Sequence, residues 1–528
     1  MASTDTVPAS STSAFSGRKL SEVFVEAKAD IVDLYMADAV PWVIGYSGGK
    51  DSTAVLQLVW SALADIPKHL RKKSVHVIST DTLVENPVVA SWVDRSLAVM
   101  QEVAIREGLP IEPHRLTPTT EDTFWVNLIG KGYPAPRINF RWCTSRLKIS
   151  PSNEFIRRVV RDNGEAILLL GTRRAESQIR ARNMARHATR AVRERLTPNA
   201  NLSNCLIYTP IEHWTNDDVW MFLLRFPNPW GYSNKDLMAM YRGASEDGEC
   251  PLVVDSSTPS CGNSRFGCWV CTLVDQDKSM TAMIRNDEEK SWMEPMLRLR
   301  NELDFRAEEA KKLDRSRRDF RRMNGKITFY RNAGGDYALV PGPYTQQARA
   351  YWLRRVLETQ QEVRAIGPEN FRTLELITLP ELQAIRRIWV GDKHEIEDLV
   401  PQVYQAATGE EYPAPPVDDH LIFDRDALAA LREVCAGDPL RYEMLRNLLD
   451  VERRYAGMAA RRGLFDDLAN VIDRCAFEDA EDALRYAKDR RQVSDQDDET
   501  QMPAVSGVRE DENGKISMSL MQLGSPEE

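Results

Sequence analysis

Nine consecutive residues, Gly45-Tyr46-Ser47-Gly48-Gly49-Lys50-Asp51-Ser52-Thr53, constrain this chain more than any other stretch. Residues 40–44 before them are short and apolar and read as a buried strand. Residues 53–59 after them read as the first turns of a helix. Two glycines at the junction let the backbone turn sharply and bring its N–H groups close to an anion. The start of the helix adds N–H donors and the positive end of a dipole. Strand, glycine turn and helix in that order make a phosphate cradle at the carboxyl end of a strand. It differs from the G-x-x-x-x-G-K-[ST] loop, because position 44 is Ile and Asp51 follows Lys50. Gly48 and Gly49 supply the backbone of the cradle, Ser47, Ser52 and Thr53 suit phosphate oxygens, Lys50 offers a cation, and Asp51 suits Mg²⁺.

The strand–helix alternation continues. Residues 73–81 read as a second strand ending in Asp81, a helix opens at Glu85-Asn86-Pro87, and residues 165–171 form a fully apolar third strand. This pattern predicts an α/β fold: an open, mostly parallel sheet with flanking helices and ligands at the carboxyl ends of the strands. Ser47, Asp81, Gly171 and Arg173 then share one rim. Beyond residue 215 the strand signal fades into a helix over 217–226 and a Pro, Gly and Cys-rich stretch. Charged helices follow over 280–410, broken at 332–336, then a proline-rich linker at 412–416 and helices over 425–490. The expected division is a disordered tail at 1–20, a nucleotide domain at 21–215 and a Cys-rich segment at 216–280. A charged helical region at 281–411, a C-terminal helical region at 417–491 and a disordered acidic tail at 492–528 complete it.

With 528 residues, 42% of them apolar and 28% charged, the chain is long enough for several domains and a large core. No apolar run approaches the roughly 20 residues that cross a bilayer. The first residues also lack the apolar centre of a signal peptide, so the expectation is a cytoplasmic protein with no membrane partner. The net charge of −10 conceals two basic runs. Residues 173–195 hold eight arginines, among them Arg173 and Arg180, against Glu176 and Glu194. Residues 311–326 hold eight cations against Asp314 and Asp319. Such stripes suit a polyphosphate or a nucleic-acid backbone, and equally a solvated helix face or a salt-bridged surface.

Cys250, Cys261, Cys268 and Cys271 crowd into 22 positions, the last pair as Cys268-Trp269-Val270-Cys271. Thiolates at that spacing bind Zn²⁺ or an iron–sulfur cluster. A local zinc site could use all four; alternatively Cys143 could join Cys261, Cys268 and Cys271 around a [4Fe–4S] cluster; a redox dithiol is a third reading. Cys205, Cys435 and Cys475 lie in regular segments and read as core residues.

Taken together, the motifs resemble the PAPS reductase-like branch of the PP-loop ATP pyrophosphatases. Ser47–Ser52 matches the SGGxDS signature, residues 171–177 (GTRRAES) resemble GxRxxES, and residues 208–220 resemble P-I-x-x-W-T-x-x-D-V-W. Residues 265–272 resemble G-C-x-x-C-T, and Cys143 with Lys148 resembles C-x-x-x-x-K. Within that branch the likeness is greatest to the sulfurtransferases of bacterial DNA phosphorothioation. The resemblance implies an adenine nucleotide alpha hydrolase-like fold, ATP cleaved between its α and β phosphates, Mg²⁺, and a [4Fe–4S] cluster. It also implies DNA as acceptor, a cysteine desulfurase as sulfur donor and other Dnd proteins as partners. In this reading Lys50, Asp51, Arg173 and Arg180 are catalytic. Ser47–Thr53, Asp81 and Gly171 hold the nucleotide, and Cys143, Cys261, Cys268 and Cys271 ligate iron. The family's reductases carry a C-terminal E-C-G cysteine; here Cys435 and Cys475 stand in other contexts, which disfavours a sulfate-ester reductase. The motifs also admit a tRNA thiolase, or a non-catalytic scaffold of a DNA-defence complex.

Overall fold

The computed structural model describes residues 13–15, 17–176, 178, 181–182, 184–185, 195–244, 266–331, 334–413 and 425–501. Helix α1 (Leu20–Met36) precedes strand β1 (Trp42–Gly45), whose residues are almost wholly buried. Then come α2 (Lys50–Asp65), β2 (Val75–Thr80), α3 (Pro87–Glu107), β3 (Ile111–Leu116), α4 (Ser150–Asn163) and β4 (Ala166–Leu169). Strands β5 (Thr197–Pro198) and β6 (Cys205–Tyr208) complete the sheet. Its order is β3-β2-β1-β4-β6-β5; every pairing is parallel except that of β5 with β6. The expected open, mostly parallel α/β sheet is what forms. Chain progression reverses between β1 and β4, and a crevice opens beyond the strand ends at such a switch point.

Helices flank both faces. Val55, Leu58 and Val59 of α2, with Met100 and Val103 of α3, pack on one face of the sheet. Phe155, Ile156 and Val159 of α4 cover the other, against Val43, Ile78 and Leu168. Asn86 caps α3, its side chain accepting from the Val88 N–H at 3.0 Å, with Pro87 at the first helical position.

The chain divides differently from the sequence expectation. Helix α5 (Asn216–Arg225) opens on a capping box between Thr215 and Asp218, and its Val219, Trp220, Phe222 and Leu223 enter the first core. Helix α6 (Asn234–Gly243) adds Leu237. The boundary at 215 therefore cuts through a layer, because strand periodicity ends before the helices that cover the sheet do. A second core unites residues 124–147 with residues from 269 to 412, including Trp125, Trp269, Trp352 and Trp389. Part of the expected N-terminal tail is also anchored: the Ala14 N–H donates to Asp218 at 3.1 Å, and Phe15 meets Trp214 edge to face. At the other end, helix Ala480–Gln501 continues past the 492 boundary. The break at 332–336 is flanked by a two-stranded antiparallel ribbon, Phe329–Arg331 with Tyr337–Leu339. Among the described residues, no helix is long and apolar enough to cross a membrane.

The basic run 311–326 is partly neutralised internally. The buried Arg321 pairs with Asp319 and with Glu443, 2.6 Å and 2.8 Å away. Arg318 pairs with Asp314 at 3.4 Å, and Arg317 stacks on the rings of Tyr351 and Trp352. These arginines tie helices together, while Lys312, Arg315, Arg322 and Lys326 stay exposed, so the run is part salt-bridged and part solvated.

Candidate active site

Ser47, Gly48, Gly49, Lys50 and Asp51 line a cavity of about 830 Å³ at the carboxyl ends of β1, β2 and β4. Gly48 has φ +71, a conformation that L side chains rarely adopt, and an added Cβ would lie 2.5 Å from Val93 Cγ2. The loop is stapled from beneath. The Ser47 N–H donates to Ser52 Oγ at 3.2 Å, and that hydroxyl donates to the Gly49 carbonyl at 3.0 Å. Ser52 and Thr53 are buried and do not line the cavity, so they shape the loop from within the fold. The Lys50 N–H donates to the Tyr241 hydroxyl of α6 at 3.3 Å.

Asp51 joins two cations: Arg173 Nε is 2.7 Å from Oδ1, and Lys50 Nζ is 2.9 Å from Oδ2. Arg173 is almost fully buried, donates to the Trp214 carbonyl at 3.3 Å, and receives Glu176 on its own N–H at 3.0 Å. Asp51 thus orients Lys50 and Arg173, and it lines the cavity with a lone pair left on each oxygen. Gly171 does not line the cavity. It lets the end of β4 approach α2, since a Cβ there would lie 2.9 Å from the Asp51 carbonyl carbon and oxygen. Asp81 lines the cavity, held by Arg115, whose other arm reaches Asp94 at 3.1 Å.

No cysteine lines the cavity, but Glu85 and Lys148 on its wall border Cys268. Cys143 precedes a π-helical turn, Thr144–Ile149, that carries Lys148. Cys268 forms an isolated antiparallel bridge with Glu85, and the Trp269 N–H donates to the Val84 carbonyl at 2.9 Å. Cys268 Sγ lies 3.3 Å from Thr82 Oγ1, and Lys148 Nζ lies 3.3 Å from Glu85 Oε1. Burial pushes the Cys268 thiol up to about 12; Glu85 adds to this and Lys148 opposes it. Cys143 is raised by burial and by Cys271. The Lys148 ammonium is strengthened by the sulfur of Cys268 and by Glu85.

Three of the four expected iron ligands, Cys143, Cys268 and Cys271, thus lie near enough to Lys148 or to one another to influence each other's charge. Their surroundings of Trp142, Trp269 and Val270 are apolar and buried, and Lys148 supplies a positive charge that suits thiolates. Arg300, almost wholly buried, fixes the segment after Cys271 by donating to the carbonyls of Cys271 at 2.9 Å and Asp275 at 3.2 Å. Arg180, Cys250 and Cys261 lie outside the described residues. Cys205, Cys435 and Cys475 are buried, as core residues should be. Sequence reasoning missed Tyr241, Glu85, Arg115 and Arg300, none of which stands in a motif with a local signature.

Comparison with known proteins agrees with this geometry. Residues 41–230 match the family model described as the phosphoadenosine phosphosulfate reductase domain. The chain is 26% identical over 221 residues to the uncharacterized protein MJ0066 of Methanocaldococcus jannaschii, covering 40% of this chain and 39% of that protein. The match thus spans about two fifths of the relative. Among solved structures, the U34-tRNA thiolase NcsA from Methanococcus maripaludis with its [4Fe–4S] cluster aligns over 58% of this chain and 85% of its own. Its identity is 11% and its TM-score 0.26. Candida glabrata FMN adenylyltransferase aligns over 43% of this chain and 61% of its own, at 14% identity and a TM-score of 0.24. Likenesses so distant carry no weight for this site. The family match with the loop geometry gives a PAPS reductase-like PP-loop domain, a nucleotide-utilising domain of the ATP pyrophosphatase type.

Proposed function

We propose that the chain is an ATP-dependent sulfurtransferase of DNA phosphorothioation, acting in the manner of DndC, which its motif order resembles. The observation that carries this reading is the single cavity with the Ser47–Asp51 loop on one wall and Glu85 and Lys148, beside Cys268, on another. Activation and sulfur transfer can then follow each other without the acceptor leaving. A non-bridging phosphate oxygen of DNA attacks the α-phosphorus of ATP, and the α–β bridge breaks to release pyrophosphate. Sulfide then attacks the adenylated DNA phosphorus, and AMP departs with the original oxygen. Hydroxide is a poor leaving group; AMP is a good one.

Lys50 and Arg173, ordered by Asp51, place two positive charges where charge accumulates on the departing pyrophosphate. Asp81, on the wall of the same cavity, is assigned to the adenosine in this reading. Gly48 and Gly49 let the backbone approach the phosphates. Cys143, Cys268, Cys271 and Cys261 would hold a [4Fe–4S] cluster, which supplies either electrons or an iron site for sulfide. A cysteine desulfurase provides the sulfur as a persulfide, a two-electron thiol reductant releases it as the sulfide that attacks phosphorus, and other Dnd proteins complete the assembly in the cytoplasm.

A DNA-facing surface is available on the exposed turn that precedes Cys143. Arg137 to Phe140 form a tight turn, the Phe140 N–H donating to the Arg137 carbonyl at 2.8 Å. Arg137, Ile138, Phe140 and Arg141 are all exposed on it. Cations interleaved with apolar side chains suit a backbone and its bases. Replacing Arg137 and Arg141 by alanine is expected to weaken duplex binding about tenfold and reduce the slope of log affinity against log salt by about 2. Fluorescence anisotropy at several salt concentrations measures both, and an unchanged slope removes this turn from the interface.

The reaction itself is tested by mass spectrometry of nuclease-digested genomic DNA from wild-type and Ser47→Ala cells carrying the partner genes. Phosphorothioate-linked dinucleotides present in the first and absent from the second are expected. Linkages that persist in the mutant overturn the adenylation step. Their absence from both strains, with tRNA stimulating pyrophosphate release, moves the acceptor to RNA.

A further inference from the structure

We propose that His76, Glu112 and His114 form a second metal site, for a divalent transition ion of the zinc class, separate from the cysteines. His76 is the second residue of β2, and Glu112 is its direct partner on β3. His114 follows two positions later, so all three side chains leave the same face of the sheet. Their ligand atoms converge. His76 Nδ1 is 3.1 Å from His114 Nε2 and 3.3 Å from Glu112 Oε2, and the last two atoms are 4.0 Å apart. Among the described residues, this is the group of His, Cys, Asp and Glu ligand atoms that all fall within 4.8 Å of one another.

The dimensions favour a metal. The point equidistant from three atoms so spaced lies about 2.0 Å from each, the length of zinc bonds to imidazole nitrogen and carboxylate oxygen. A metal-free cluster would share one His76 N–H between the other two acceptors. That satisfies one proton but gives Glu112 Oε2 and His114 Nε2 no attraction for each other. A cation at the centre satisfies all three lone pairs at once. Two imidazoles and one carboxylate, without thiolate, select a borderline ion such as Zn²⁺, Co²⁺ or Ni²⁺ over Ca²⁺ or Mg²⁺.

The setting is a built one. Phe155 of α4 lies against both rings, with centroids 5.6 Å from His76 and 4.8 Å from His114, which limits their rotation. Glu112 is half exposed, so the site opens to solvent on its side and leaves a coordination position for water. Arg158 of α4 is a nearby like charge that opposes a cation at His114, and it sets a limit on affinity. The site is a clamp between the edge strand β3 and β2. Those strands carry Arg115 and lead to Asp81, which face each other on the cavity wall, so an ion here would hold the register beneath the nucleotide site.

The test uses the full chain with its iron retained, treated with chelator and then dialysed anaerobically against micromolar Zn²⁺ or Co²⁺. About one zinc per chain is expected in the wild type. A His76→Asn/His114→Asn variant should lose it at unchanged iron content, and zinc should raise the melting temperature of the wild type alone. Bound Co²⁺ should show visible d–d bands without a thiolate charge-transfer band. Glu112→Gln, at a half-exposed position that should leave folding intact, is expected to weaken zinc binding at least tenfold. Zinc retention that is absent from the wild type, or equal in wild type and Glu112→Gln, overturns the proposal. So does a thiolate charge-transfer band on the cobalt form.

Discussion

Gly171→Ala is expected to lower nucleotide affinity and pyrophosphate release together, by about 100-fold, in a protein that still folds. The reason is local and steric. A Cβ at position 171 would stand 2.9 Å from the carbonyl carbon and oxygen of Asp51 and 3.1 Å from the Ser52 nitrogen, all backbone atoms in the first turn of α2. No flexible side chain can yield, so the helix start must retreat from β4. Overpacking of this kind costs about 1–3 kcal/mol of stability. The greater loss is functional, because Asp51 orders both Lys50 and Arg173, and moving its backbone displaces two cations at once. Gly457→Ala is the control: an added Cβ there meets nothing within 4 Å, far from the loop in sequence, and no change is expected. Calorimetry with a non-hydrolysable ATP analogue, paired with ATP–pyrophosphate exchange, measures the effect. Unchanged affinity in Gly171→Ala would mean that the nucleotide does not depend on the β4–α2 approach.

The same residues show what was legible in the sequence. Strands β1 and β4 were readable because a strand buried on both faces is an unbroken apolar run, β2 because its valines and isoleucine end at Asp81, and the loop after β1 carries its own chemistry in order. Strand β3 was not. Its sequence Ile-Glu-Pro-His-Arg-Leu lies at the sheet edge, where half the residues face water and a proline is tolerated. Strand β6 is only four residues long. Both are fixed by pairing with neighbours remote in sequence, and so is the pair of histidines that β3 and β2 bring together.

Partners of charge were hidden in the same way. The run 311–326 could not be told from a polyanion-binding stripe in the sequence, because Glu443, the acid that meets Arg321, lies more than a hundred positions away. Tyr241 reaches the phosphate loop from the end of a short helix, and nothing in its neighbourhood distinguishes it from a core tyrosine. Gly171 was legible as a member of the nucleotide site, but its role is to admit α2, which only the spacing between β4 and that helix reveals.

The ligand set of the cysteines is where sequence left two answers, and the proposed function favours the one that includes Cys143. Spacing alone allows a local site of Cys250, Cys261, Cys268 and Cys271, or one that recruits Cys143 from over a hundred residues earlier. The fold brings Cys143 into the electrostatic field of Cys271, beside the bridge that seats Cys268 on Glu85. Cys143→Ala is therefore expected to lose iron as completely as Cys268→Ala and Cys271→Ala, to background after anaerobic reconstitution with iron and sulfide. Cys250→Ala should retain it, as should Cys205→Ala, Cys435→Ala and Cys475→Ala. Stability should move the same way: ligand binding that favours the folded state adds to its stability, so the three variants that lose iron should also melt lower than the others. Iron and acid-labile sulfide analysis, with the visible absorption of the cluster, separates the cases. Full iron in Cys143→Ala with loss in Cys250→Ala would assign the local set. It would make Cys143 a neighbour of the cluster, aimed at the cavity with Lys148, and no longer one of its ligands. Zinc in place of iron, bound by all four local thiols, would remove the electron or sulfide role and leave the Cys-rich segment a purely structural one.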